Sequence, residues 1–210
     1  KLPIKTARFA NVAFSNGSLP LGFIDRLNKQ QPWSCPLGIR RFFVSPQESG
    51  ELCLMASIMG ESGDIFYPKL DEERDMIPFD RMAIDLLHYL GLEPDICKSE
   101  EEAKEKAQTR RHKDTKKYPI YFFGSDTSGE KSFEEFFTEK EELDNDSFIN
   151  LGVVKNSKKR SIQEIDAIFD QLHNLFESNQ VSKAAIVEIL KTYLPNFEHI
   201  ETGKGLDSKM

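Results

Sequence analysis

The 210-residue chain is poor in cysteine: Cys35, Cys53 and Cys97 are odd in number, widely spaced and form no Cys-x-x-Cys pair. A disulfide-stapled scaffold is thereby excluded, a structural zinc site is disfavoured, and a reducing, cytoplasmic setting is expected. Long apolar runs are missing too. None approaches the roughly 20 residues needed to span a bilayer, and the start of the chain carries no signal-peptide pattern, so no membrane partner is expected. Positive charge is in deficit, with 28 Lys and Arg against 35 Asp and Glu and a formal net charge of −7. A broad nucleic-acid surface would need a basic stripe, so nucleic acid is not an expected partner. A local cationic pocket for a small anionic ligand remains compatible with that balance.

Catalytic signatures are equally scarce. There is no GxGxxG or GxxGxxG, and Gly203-Lys204 lacks the upstream glycine of a phosphate-binding loop. No GxSxG elbow occurs. His88, His112, His173 and His199 stand far apart without an HExxH, which argues against a metal site. None of the five tyrosines is followed by a lysine four residues on. Spacing alone therefore offers binding features and no catalytic set.

What is present is 39% hydrophobic and 30% charged residues, enough for one core, or one core and an appendage. Ile4 to Val12 reads as a buried strand ended by Ser15-Asn16-Gly17-Ser18. Ser18 to Gln30 reads as a helix with Pro20 in its first turn. "IRRFFVS" reads as a strand. Ser45-Pro46-Gln47-Glu48 then opens a helix with both a Ser-x-x-Glu box and a proline at the first position. "GDIFYPKL" is a further strand and "PFDRMAIDLLHYLG" a helix closed by Gly91. Alternation of this kind is the pattern of an α/β layer fold.

Lys98 to Lys117 is nearly free of apolar residues and reads as a solvated helix or an insertion, with Glu102 and Lys106 at i,i+4 spacing. "YPIYFFGSD" and "FINLGVV" return to strand character. After a charged hinge at Ser157 to Arg160 come two amphipathic helices. In the first, Ile162, Ile165, Ile168, Phe169, Leu172, Leu175 and Phe176 form one apolar stripe, expected to dock on its own domain or on a second subunit. A polar tail follows.

Two features are compatible with an anion site. Arg8 and Asn11 end a strand that feeds the "SNGS" turn and a helix N-terminus, where backbone N–H groups can face an anion. Arg40-Arg41 offers the planar fork that suits phosphate. Each arginine could equally make a surface ion pair, and Asn16-Gly17 could be no more than a turn.

The blocks "TARFANVAFSNGSLPLGFIDRL", "IRRFFVSPQESGELCLMAS", "GDIFYPKL" and "SDTSGEKSFEEFFTEKEE", in this order, resemble the C-terminal half of the CapD-like nucleotide-sugar 4,6-dehydratases of bacterial surface-polysaccharide synthesis. These are extended short-chain dehydrogenases acting on UDP-N-acetylglucosamine. The resemblance covers most of Thr6 to Glu142 and the closing "HIETGKGLDSKM". It implies an α/β, Rossmann-type fold: residues 1–155 as the last core strand or strands and the substrate-binding portion, and residues 156–210 as a helical appendage. It further implies that the cofactor fingerprint and the catalytic Tyr-x-x-x-Lys belong to a preceding half, that NAD(P) is bound mainly there, and that this portion alone is inactive. A homo-oligomer is expected.

The resemblance also assigns residues. Arg8, Phe9, Asn11 and Val12 match the family's R-[FY]-x-N-V, which puts Asn11 on the nucleotide sugar near its diphosphate. Gly17 and Ser18 fall beside the nucleotide. Arg41, Phe42 and Phe43 match T-R-F-F, with Arg40 in place of the usual threonine, and Arg41 would contact the diphosphate. Glu130 and Lys131 of the "GEK" block, and Lys69 of "YPKL", are further candidates. The implied chemistry is loss of water across C5 and C6 of the sugar, with a hydride carried transiently by NAD(P). A nucleotide-sugar epimerase of the same superfamily, or a non-catalytic binding module, remain the alternatives.

Overall fold

A computed structural model describes residues 2–110, 115–124, 135–155, 157, 159–194, 197 and 199. The elements run β1 (Thr6–Ala7), β2 (Asn11–Val12), α1 (Leu19–Asn28), β3 (Trp33–Leu37), β4 (Arg40–Arg41), β5 (Phe43–Val44), α2 (Pro46–Met59), β6 (Ile65–Pro68), α3 (Glu72–Asp75), β7 (Ile77–Pro78) and α4 (Phe79–Tyr89). Then come β8 (Glu93–Cys97), α5 (Glu100–Arg110), β9 (Lys117–Gly124), β10 (Glu142–Asp144), β11 (Leu151–Lys155), α6 (Ile162–Glu177) and α7 (Lys183–Tyr193). The protein is a mixed α/β fold with parallel strand pairing. It divides into two compact units, residues 1–125 with 131–157 and residues 126–130 with 158–210.

In the first unit, β3, β9 and β8 form a parallel sheet with β9 central. α1 and α4 lie on it and bury Phe23, Trp33, Ala83, Leu87, Tyr118 and Ile120. Phe23 stacks on Trp33 at 4.5 Å between ring centroids. A second sheet has the order β1-β6-β11-β10, with β1 parallel to β6 and the remaining pairs antiparallel. Its core includes Phe66 and Val153 under Leu52 and Ala56 of α2. α2 starts as its Ser-x-x-Glu box dictates: Glu48 N–H donates to Ser45 Oγ at 3.1 Å, and Ser45 N–H donates to Glu48 Oε2 at 2.6 Å.

Two expected strands are each broken in the middle. Ile4 to Val12 is not one strand: β1 pairs with β6, whereas β2 leaves to pair in parallel with β5. The "IRRFFVS" segment divides likewise, β4 antiparallel to β7 and β5 parallel to β2. The chain steps from one partner to another where Phe42 turns inward to join Ala10, Tyr67, Met76 and Phe136. β3 and β8 add two strands that the sequence pattern does not mark, and each contains a proline, Pro36 and Pro94. Both are edge strands, where a missing N–H costs no ladder bond. The charged segment after Cys97 is a docked helix: Ala103 and Ala107 of α5 are buried, and Lys106 bridges Asp95 at 2.7 Å and Glu102 at 3.1 Å. Residues 111–114 of the basic run lie outside the described residues.

The second unit is a helical hairpin. Ser161 and Glu164 form a capping box on α6, and Ser182 caps α7 through Ala185 N–H at 3.1 Å. Ile168, Leu172 and Leu175 are the half-buried apolar residues of α6, which packs on α7. No residue of either helix is fully buried. Ile162, Ile165, Phe169 and Phe176 of the stripe are exposed, on a side of α6 that α7 does not cover.

Candidate functional site

β2 and its connection to α1 carry three of the expected ligand residues, Asn11, Gly17 and Ser18. Asn11 lies on β2, opposite Phe43 of β5. Its backbone N–H donates to the Phe42 carbonyl at 3.1 Å, and its Nδ2 donates to the same oxygen at 3.3 Å. Asn11 is thereby fixed one residue from Arg41, although 30 positions separate them in the chain. Arg41 on β4 is only 8% exposed. Its Nη1 donates to the Arg40 carbonyl at 2.9 Å, and its guanidinium stands 5.9 Å from the ring centre of Phe79, the first residue of α4.

From β2 the chain turns within a few residues into α1. The turn holds two left-handed positions, Phe14 at φ 57° and Gly17 at φ 80°. Glycine adopts that conformation without cost; for a phenylalanine it is strain. Phe14 is also half exposed. The left-handed backbone at Phe14 leaves no mark in the sequence. Ser18 caps α1, its Oγ accepting from Leu21 N–H at 3.4 Å. Pro20 removes another N–H from that first turn, so α1 offers an anion fewer donors than a glycine-rich helix start.

Lys69 is elsewhere. Its ammonium donates to the carbonyls of Asn145 and Phe148, the latter at 2.6 Å, and ties the β10–β11 connection to the end of β6. It also lines an open cavity of about 510 Å³. Phe9, Val44, Leu52, Met55 and Leu151 supply apolar wall there, and Glu48, Glu51, Arg74, Asp75 and Asn150 polar groups. Asn11, Gly17, Ser18 and Arg41 do not line it. Glu130 and Lys131 lie outside the described residues.

Two of the other cations are engaged structurally. Arg8 grips Glu141 with both Nη atoms, at 2.9 and 2.6 Å, and donates to the Phe136 carbonyl at 2.7 Å. Arg40 donates to the Glu72 carbonyl at 2.8 Å. Titrations are shifted away from neutrality. Arg8 holds the Glu141 carboxyl below the usual range, and Arg74 holds that of Asp75 near 2. Burial pushes the Cys35 thiol up to about 12 and raises the Tyr67 hydroxyl. None of these groups is poised to exchange a proton near pH 7, as a general acid or base would be. No cluster of metal-ligating side chains occurs among the described residues.

The sequence profile of the polysaccharide biosynthesis protein family matches residues 2–156. The chain belongs to that family. Membership ties it to polysaccharide biosynthesis, and the matched residues end before α6 and α7. No curated protein matches the chain. Among solved structures, Pen from Bacillus thuringiensis matches with 19% identity and a TM-score of 0.49, over 79% of this chain and 49% of that one. The chain thus spans about half the length of that neighbour. Among the described residues, no helix is long and apolar enough to cross a membrane.

Proposed function

We propose that the chain is the nucleotide-sugar-binding part of a NAD(P)-dependent nucleotide-sugar 4,6-dehydratase acting on a substrate like UDP-N-acetylglucosamine. The observation that supports the reading is the junction at Phe42, whose carbonyl oxygen ties Asn11 to the residue that follows Arg41. An amide and a guanidinium converging on one ligand would suit a diphosphate: an amide donates a hydrogen bond, and a planar guanidinium fork can donate two. A cation shielded from water also attracts phosphate more strongly than an exposed one.

The residues present do not fit the dinucleotide itself. The turn into α1 contains a single glycine, its first-turn proline lacks an N–H, and the Ser18 hydroxyl already accepts from Leu21. In this reading the chain's own contribution is therefore to hold the diphosphate and fix the sugar's position.

Calorimetric titration of the chain with UDP-N-acetylglucosamine tests the reading. Binding is expected without turnover, and Arg41→Lys should weaken it roughly ten- to hundredfold, because one charge-assisted hydrogen bond contributes about 1.5–3 kcal/mol. A melting curve checks that the variant is folded. Equal affinity for wild type and variant would remove Arg41 from the site, and no binding by the wild-type chain would overturn the reading.

A further inference from the structure

The helices α6 and α7 lie outside the family match, and α6 exposes a row of large apolar side chains. Along α6, Ile162, Ile165, Phe169 and Phe176 recur at spacings of three, four and seven, which aligns them on one face. Ile162 is 73%, Phe169 66% and Phe176 59% exposed. The side of α6 toward Ile168 and Leu175 is half covered by α7. The opposite side of the stripe carries Asp166, Asp170, His173 and Glu177, at spacings of four, three and four, so these form a second row parallel to the first. His173 Nε2 lies 3.2 Å from Glu177 Oε1. Residues 162–177 contain no lysine or arginine. The free face of α6 is therefore an apolar ridge about 24 Å long, at 1.5 Å per residue, edged on one side by carboxylates.

We propose that this face docks a basic amphipathic helix of another protein. Charge complementarity selects that occupant. Such a helix covers the apolar ridge while its Lys or Arg row meets Asp166 and Asp170. A second copy brought α6 to α6 in antiparallel fashion would set one acidic row against another. An anionic lipid surface would be repelled by the same carboxylates.

The test uses the full 210-residue chain and two fluorescent peptides, each about 18 residues or five turns long. Both carry leucines at i, i+3, i+4 and i+7. One has lysine at the remaining positions and the other glutamate. Anisotropy titration should show the lysine peptide binding at least tenfold more tightly at low salt, and the gap should narrow as salt screens the charges. Phe169→Ser, at an exposed position, should weaken binding with the fold intact by circular dichroism. The double variant Asp166→Lys, Asp170→Lys should reverse the preference between the peptides. Equal binding of both peptides, or of neither, would overturn the proposal. So would a dimer by light scattering that Phe169→Ser dissolves, or binding to phosphatidylserine-containing vesicles in place of the peptide.

Discussion

Gly152→Ala is expected to be among the costliest single-methyl changes in the molecule. Gly152 on β11 pairs with Tyr67 on β6, and the Tyr67 ring lies across the space a side chain would fill. A Cβ at this position would stand 2.6 Å from Tyr67 Cε2, and nearer still to Cζ and Oη. The ring has little room to retreat. It is buried, packs 5.1 Å from the Phe137 ring and 6.4 Å from that of Phe136, and its hydroxyl donates to Asn145 Oδ1 at 2.9 Å. Overpacking of this kind costs about 1–3 kcal/mol, and loss of the hydroxyl's hydrogen bond adds about 0.5–1.5 kcal/mol. At about 2–4 °C per kcal/mol for a chain of this size, the melting temperature should fall by roughly 3–18 °C. Circular dichroism melts would measure it, with Tyr67→Ala as the second arm of a double-mutant cycle. Once the ring is gone, adding Gly152→Ala should cost no more than about 0.5 kcal/mol. A melting temperature within about 2 °C of wild type, or an equal loss in the Tyr67→Ala background, would refute the packing argument.

Two further outcomes follow from titrations. The Glu141 carboxyl is lowered first of all by its hydrogen bond from Arg8, so its contribution to stability is present above the ordinary carboxylate pKa and is lost as pH falls through the lowered folded value. Denaturation midpoints measured between about pH 6 and pH 3 should therefore fall less steeply for Arg8→Met than for wild type; parallel curves would remove Glu141 from the acid response. Cys53 is exposed on α2, whereas Cys35 is buried and pushed up to about 12, and Cys97 is raised by burial as well. A disulfide reagent near pH 8 should thus modify one thiol quickly and the other two only in denaturant, and two fast thiols would contradict the packing of β3 or β8.

Elements governed by neighbours in sequence were legible, and elements governed by distant partners were not. The starts of α2 and α6 are written in a serine and a glutamate three residues apart, and both caps form. The end of α4 is written in Gly91, whose φ of 73° suits glycine. What makes β3 a strand is β9, more than 80 residues further on. The break in Ile4 to Val12 was hidden for a similar reason: nothing within the segment says that β1 will pair with β6 and β2 with β5. α5 has almost no apolar signal, yet two alanines at i,i+4 spacing suffice to seat it, because small side chains allow close approach to the sheet.

The candidate site divides along the same line. Arg8, Arg40, Arg41 and Lys69 look alike in sequence, each a cation near a strand. What distinguishes them is the oxygen each one meets. Arg8 meets a carboxylate 133 positions away, Lys69 two loop carbonyls 76 and 79 positions away, and Arg40 a carbonyl 32 positions away. In each case the acceptor belongs to a different element, and a motif bounded by a few residues cannot encode it. Asn11 and Arg41 are the contrary case. Their two blocks are each recognisable from local sequence, and β2–β5 pairing brings them together through the Phe42 carbonyl. A short parallel pair of two residues per strand thus does what no single stretch of sequence does: it ties the Asn11 amide to the residue that follows Arg41, 31 positions further on.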